Sequence, residues 1–157
     1  MKVCVWAIGK TSEKYLTTGQ DIYLKKLKHY VPFSYEEYPA VKVNKNTPRT
    51  QVKKLEETLI FGKLKSDDYL VLLDEQGKSY SSRAFSDQLN KWQSRPGKRL
   101  IFLIGGAFGF SEAMYQRANS KLSLSAMTFS HQMVRLFLLE QLYRGYSIQR
   151  NEPYHND

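Results

Sequence analysis

Three short apolar runs, Val3–Ile8, Tyr69–Leu73 and Leu100–Ile104, are separated by segments long enough to form helices, and this rhythm constrains the fold more than any other feature. The runs Val3-Cys4-Val5-Trp6-Ala7-Ile8 and Tyr69-Leu70-Val71-Leu72-Leu73 are continuously apolar, which suits strands covered on both faces. Phe33 to Tyr38 alternates weakly and reads as a further strand, and Arg99 to Ile104 runs straight into Gly105-Gly106. Between them lie helical signals. Tyr15, Ile22, Tyr23, Leu27 and Tyr30 recur at helical spacing through about residue 29, with Thr11 or Ser12 as the expected cap. Thr47-Pro48 offers a cap followed by proline at the first helical position; Val52, Leu55, Leu59 and Ile60 then share a face, and Gly62 marks the stop. Ser82 to Trp92 reads as a helix, and Ser111 caps a short one reaching about Ala118. The last helix, roughly Ser130 to Gln149, carries Val134, Phe137, Leu138 and Leu142 on one side. Strands alternating with helices predict an α/β fold, a mostly parallel sheet with helices on both faces. No repeat, low-complexity tract or linker interrupts it, so residues 1–157 read as a single domain.

The 24 Lys and Arg outnumber the 15 Asp and Glu, for a net charge of +9. Such a surface attracts polyanions, nucleic acid first and a membrane surface second. The lone Cys4 excludes an internal disulfide, and its place in an apolar run predicts an inert core thiol. The first run is too short for a signal-peptide core, and no stretch approaches a membrane span. A cytoplasmic protein is expected.

Parallel sheets place ligands at the carboxyl ends of their strands. Three loops qualify: Leu73-Asp74-Glu75-Gln76-Gly77-Lys78, Gly105 to Ser111, and Leu122-Ser123-Leu124-Ser125-Ala126-Met127-Thr128-Phe129. The glycines of the second loop allow positive φ and close backbone approach, yet the loop lacks both the P-loop and the dinucleotide-binding spacing. The third loop alternates short apolar and hydroxyl residues without charge. That suits a flat, uncharged moiety such as adenine, and equally a short buried strand. His29, His131 and His155 form no cluster of metal-ligand spacing, so no metal is expected, and no Gly-x-Ser-x-Gly elbow supports a serine nucleophile. Lys42, Lys45, Arg49, Lys53 and Lys54 cluster in one stretch, and Lys91, Arg95, Lys98 and Arg99 in another. Arg135, Arg144 and Arg150 sit on or after the most apolar helix, where arginines usually meet carboxylate or phosphate. The tail Glu152-Pro153-Tyr154-His155 has the look of a docking segment. On these residues alone, a basic RNA-binding protein without catalysis and a nucleotide-dependent enzyme of Rossmann type stay open; Gly9-Lys10-Thr11-Ser12 after the first strand disfavours the latter.

At these loops the sequence resembles the ribosomal RNA large-subunit methyltransferase H family, a minimal branch of the SPOUT class. The likeness rests on Val5-Trp6-Ala7-Ile8-Gly9-Lys10, on Leu73-Asp74 with Gly77-Lys78, on Phe102-Leu103-Ile104-Gly105-Gly106, and most of all on the run from Leu122 to His155. It covers essentially the whole chain. The resemblance implies a deep trefoil knot at the C-terminus and a homodimer whose active sites are each completed by the partner. It implies that S-adenosylmethionine is bound by Leu73, Gly105, Leu124, Ser125, Ala126, Met127, Thr128 and Phe129. His131, Arg144, Tyr154 and His155 fall where the family lines its composite catalytic site. The implied reaction is methylation of N3 of a pseudouridine in the helix 69 stem-loop of 23S ribosomal RNA, on the assembled ribosome. Two departures stand out: Ser130 replaces a common proline, and Gly145 follows the arginine where alanine is usual.

Overall fold

The computed structural model describes all 157 residues. Five strands and five helices alternate: β1 (Lys2–Ile8), α1 (Lys14–Leu27), β2 (Phe33–Tyr38), α2 (Arg49–Phe61), β3 (Tyr69–Lys78), α3 (Ser82–Gln93), β4 (Arg99–Ile104), α4 (Glu112–Arg117), β5 (Ser120–Leu122) and α5 (Met133–Gln149). Every strand pairing is parallel, in the order β2-β1-β4-β3-β5. The expected α/β architecture is therefore the observed one. No helix is long and apolar enough to cross a membrane.

Side chains of a strand alternate between faces, and the two faces bury separate cores. Val3, Val5 and Ala7 of β1 join Leu100, Phe102 and Ile104 of β4 beneath α1, α3 and α5. Cys4, Trp6 and Ile8, with Ile101 and Leu103, meet α2 and α4 on the other side. Continuous apolar strands are thus explained by helices on both faces. Burial pushes the Cys4 thiol up from its ordinary value, as befits an inert core group.

Four local expectations need correction. Helix α1 starts at Lys14 after Glu13, not after a Thr11 or Ser12 cap. Thr11 is buried instead, and its hydroxyl donates to Glu37 while accepting from Gln20 Nε2 at 3.2 Å. The buried face of α1 is Leu16, Gln20 and Leu27, whereas Tyr15 and Ile22 are 64% and 51% exposed. The cap of α2 is Pro48, one residue later than expected, with Thr47 held in the preceding turn by Asn44. On the far side of α5, Phe137 is exposed, not part of the core.

The stretch after Leu73 is not a free loop. Leu73 and Lys78 both pair with Leu122, so residues 74–77 bulge out of the sheet before β3 rejoins β5. From edge strand β5 the chain then crosses the carboxyl ends of β3 and β4 to reach β1 on the other side of the sheet. Arg135 anchors it there: its guanidinium donates to the carbonyls of Ile8 (3.1 Å), Gly9 (2.8 Å) and His131 (3.0 Å), to Thr11 Oγ1 (3.0 Å) and to Glu37 Oε2 (3.2 Å). Gln132 adds a second tie to Lys10 and Ser12.

Candidate active site

The crossing segment roofs a cavity of about 630 Å³ at the carboxyl ends of β3, β4 and β5, within the range of small-molecule sites. Leu73 and the 74–76 bulge form one wall, the Gly105–Phe110 loop a second, and the 122–131 segment a third. Half of the lining residues are apolar, and Asp74 and Glu75 supply its carboxylates. Tyr115 donates its hydroxyl to Asp74 Oδ2, and Gln76 N donates to Asp74 Oδ1 at 2.8 Å, which fixes the bulge. Burial, reinforced by Asp74, pushes the Tyr115 hydroxyl up to about 12, so it stays a donor at neutral pH. Of the second loop's glycines only Gly109 adopts a positive φ, +79°. Gly105 serves close packing: a Cβ there would lie 2.8 Å from the Phe110 ring.

The sequence-predicted binding residues Leu73, Gly105, Leu124, Ser125, Met127, Thr128 and Phe129 all line this cavity, as does His131. Ala126, in the same run, is exposed and is not part of the lining. Ser123 Oγ donates to Ser125 O at 2.9 Å, and Met127 N donates to Ser125 Oγ at 3.0 Å, so the alternating hydroxyls shape the loop themselves. Ser130 caps the turn that leads into α5: its Oγ accepts from Met133 N (3.0 Å) and its carbonyl from Val134 N (3.0 Å). A proline has no side chain for that task.

Arg144, Tyr154 and His155 come together elsewhere. None lines the cavity of its own chain. Arg144 donates to Glu140 Oε1 at 3.1 and 2.6 Å, its guanidinium carbon lies 4.7 Å from the Tyr154 ring centre, and the Tyr154 hydroxyl donates to the same carboxylate oxygen at 2.9 Å. A guanidinium cannot accept a hydrogen bond. The 3.0 Å contact from Arg144 to His155 Nδ1 therefore makes Nδ1 the acceptor, and Nε2 donates to Asp157 Oδ1 at 2.6 Å. Arg83 closes the group on Asp157 at 2.7 Å, and the Arg83 and His155 bonds hold that carboxyl below its usual range. Burial opposes the charge on Arg144, but the bond to Glu140 and the charges of Glu140 and the neighbouring tyrosines together outweigh it and raise the guanidinium further. The tail docks, as its composition suggested.

Sequence reasoning missed Tyr115, Glu140, Asp157, Arg83 and the Arg135–Glu37 clamp. Most of these have partners far away in the chain, so no local spacing announces them; Glu140, one helical turn before Arg144, was a legible exception. The three arginines on or after α5 also divide. Arg135 meets a carboxylate and carbonyls, Arg144 a carboxylate, and Arg150 stacks on Tyr30 at 4.5 Å.

A parallel α/β sheet with a roofed cavity at its carboxyl end is a small-ligand fold, and a family described as predicted SPOUT methyltransferase matches residues 1–155; the chain belongs to that family. Its relatives include proteins named ribosomal RNA large subunit methyltransferase H. The one from Flavobacterium johnsoniae is 52% identical over 156 residues, 99% of each chain. That of Christiangramia forsetii is 50% identical over 99% of each chain, and that of Parabacteroides distasonis 48% over the full length of both.

Proposed function

We propose that the protein is a cytoplasmic, S-adenosylmethionine-dependent methyltransferase that modifies N3 of a pseudouridine in the helix 69 stem-loop of 23S ribosomal RNA, on the assembled ribosome. The observation that carries this reading is the cavity itself: Leu73, Gly105 and the run 124–129, which are far apart in sequence, wall one chamber. Its chemistry fits the cofactor. Leu73, Leu124, Met127 and Phe129 offer apolar surface to a flat heterocycle, and the carboxylates of Asp74 and Glu75 suit a ligand that bears positive charge. When bound, the cofactor supplies a methyl group on a cationic sulfur.

The chain's own residues supply alignment, exclusion of water and charge. N3 of the acceptor carries a proton and must lose it to become a nucleophile. Arg144 is the group that stabilises the resulting imide anion, a role worth about 10²–10³ in rate for one well-placed donor. Tyr154 presents an aromatic face for an unstacked base. His155 holds its one lone pair toward Arg144, so it orients that guanidinium, and it accepts a proton only if the bond opens; water at the mouth is the simpler acceptor. His131 stands at the cavity rim.

Because Arg144, Tyr154 and His155 lie outside the cavity of their own chain, the reading includes a homodimer in which each tail completes the partner's site. The path of the chain from β5 across β3 and β4 to β1 supports the threaded C-terminus that the family likeness implies. A dimer doubles the charge of +9, and its grip on RNA is expected to weaken with salt at a log–log slope of about −0.7 to −0.9 per phosphate contacted. The test is mass spectrometry of ribosomal RNA from cells lacking the gene. One methyl is expected to be missing from a pseudouridine and restored by purified protein with S-adenosylmethionine. Identical RNA from both strains contradicts the assignment.

A further inference from the structure

A second, smaller cavity adjoins the first. It has a volume of about 180 Å³ and meets the large cavity along Leu122, Ser123, Leu124 and Phe129, which line both. Its remaining walls are aromatic and amide: Tyr80, Phe85 and Phe137 with Ser82 and Gln141. A cavity of about 150 Å³ admits benzene, so this one admits a six-membered heterocycle with its carbonyl oxygens. Phe137 is 38% exposed and lies 4.8 Å from Phe129, ring centre to ring centre, an aromatic face that the core does not use. The Lys78 ammonium sits 5.1 Å from the Tyr80 ring, a cation near the chamber for a nucleotide's phosphate.

The polar wall is held still. Gln141 Oε1 accepts from Ser82 Oγ at 3.1 Å, and its Nε2 donates to Glu140 Oε2 at 3.0 Å, the carboxylate that Arg144 also grips. An amide has two lone pairs and two N–H groups. Each of these bonds uses one, which leaves one acceptor and one donor on a fixed side chain.

Resting on the function proposed above, we infer that this chamber seats the acceptor base itself and that Gln141 is the residue that selects pseudouridine over uridine. The ring of pseudouridine is attached to its sugar through C5, so the opposite edge, N1–H, C2=O and N3, enters deepest. The free acceptor and donor of Gln141 match N1–H and the C2 carbonyl. N3, on the other side of that carbonyl, is then left toward the border with the large cavity. With its sugar on N1, uridine in the same seat presents C5–H where pseudouridine presents N1–H, so it leaves the Gln141 acceptor unpaired. Buried polar groups left without a partner reject an analogue more strongly than any gain or loss of apolar contact.

The test uses ribosomes from cells lacking this protein, carrying either pseudouridine or unmodified uridine at the acceptor position. Wild-type protein is expected to prefer pseudouridine. Gln141→Leu is expected to lower kcat/KM on pseudouridine about tenfold or more and to collapse the preference, while the affinity for S-adenosylmethionine by calorimetry is unchanged. Gln141→Glu, which keeps an acceptor for N1–H, is expected to retain the preference. Phe137→Ala is expected to raise KM for the ribosome without changing cofactor affinity. Equal rates of wild-type protein on both ribosomes, or an undiminished preference in Gln141→Leu, overturn the inference and leave the methyltransferase reading standing. Failure of the wild-type protein to bind S-adenosylmethionine contradicts that reading, and the inference with it.

Discussion

The two halves of α5 carry arginines that do opposite work. Arg135, near the N-terminal end, is fully buried and spends its donors on backbone carbonyls, Thr11 and Glu37. Arg144, near the other end, is partly exposed and shares Glu140 with Tyr154 while donating to His155. The first fastens the crossing segment to β1; the second holds a group that the proposed chemistry uses. The same residue type on one helix is thus a structural tie where every partner is internal, and, in the proposed chemistry, the group offered to substrate where a face stays open to solvent.

The largest effect that separates them is on stability. Arg135→Met takes from the Glu37 carboxylate its one cationic partner and from three carbonyls their guanidinium donor, and is expected to cost about 3–5 kcal/mol in urea unfolding. Arg144→Met breaks a partly exposed pair whose carboxylate keeps Tyr154 and Gln141 as donors, and is expected to cost less, about 1 kcal/mol. Equal losses would erase the contrast. Activity reverses the ranking: Arg144→Met is expected to reduce methyl transfer about 10²- to 10³-fold with a smaller drop in melting temperature than Arg135→Met.

Acid sharpens the comparison. Burial pushes the Glu37 carboxyl up, but the bonds from Thr11, Tyr35 and Arg135 outweigh it, and its value in the folded protein lies below the ordinary one. A depressed carboxyl contributes stability that is complete above its unfolded value and is lost as pH falls through its folded one. Unfolding free energy is therefore expected to drop on the acid side below the ordinary carboxylate range. In Arg135→Met one of the lowering partners is gone, so that acid-side loss is expected to shrink.

Much of this was legible in the sequence. The apolar runs marked the central strands because burial on both faces leaves no room for alternation. The three ligand loops followed from strand direction, and seven of the eight predicted binding residues, all but Ala126, line one cavity. The face of α1 was not legible. Tyr15 and Ile22 keep helical spacing yet stay exposed, while polar Gln20 is buried because Thr11 satisfies it from outside the helix. The 74–77 bulge was hidden as well, since it exists only through pairing with Leu122, which lies much later in the chain. Spacing reports periodicity, not which partner arrives from a distance.

Two smaller effects test the family departures at either end of α5. Ser130→Ala removes the hydroxyl that caps the turn leading into α5 and is expected to cost about 1 kcal/mol. At Gly145 an added Cβ would lie 3.3 Å from Leu89 Cδ2, a tight fit against α3. Gly145→Ala gains helix propensity of about 1 kcal/mol and loses part of it to that contact, so a net change smaller than that of Ser130→Ala is expected in thermal unfolding.

The most direct trial of the central claim is a crystal structure of the purified protein soaked with S-adenosylmethionine. Density for the cofactor is predicted between Leu73, Gly105 and Met127, with its sulfur toward the border shared with the smaller chamber. A chamber that stays empty at saturating cofactor, or density at any other place on the molecule, would contradict it.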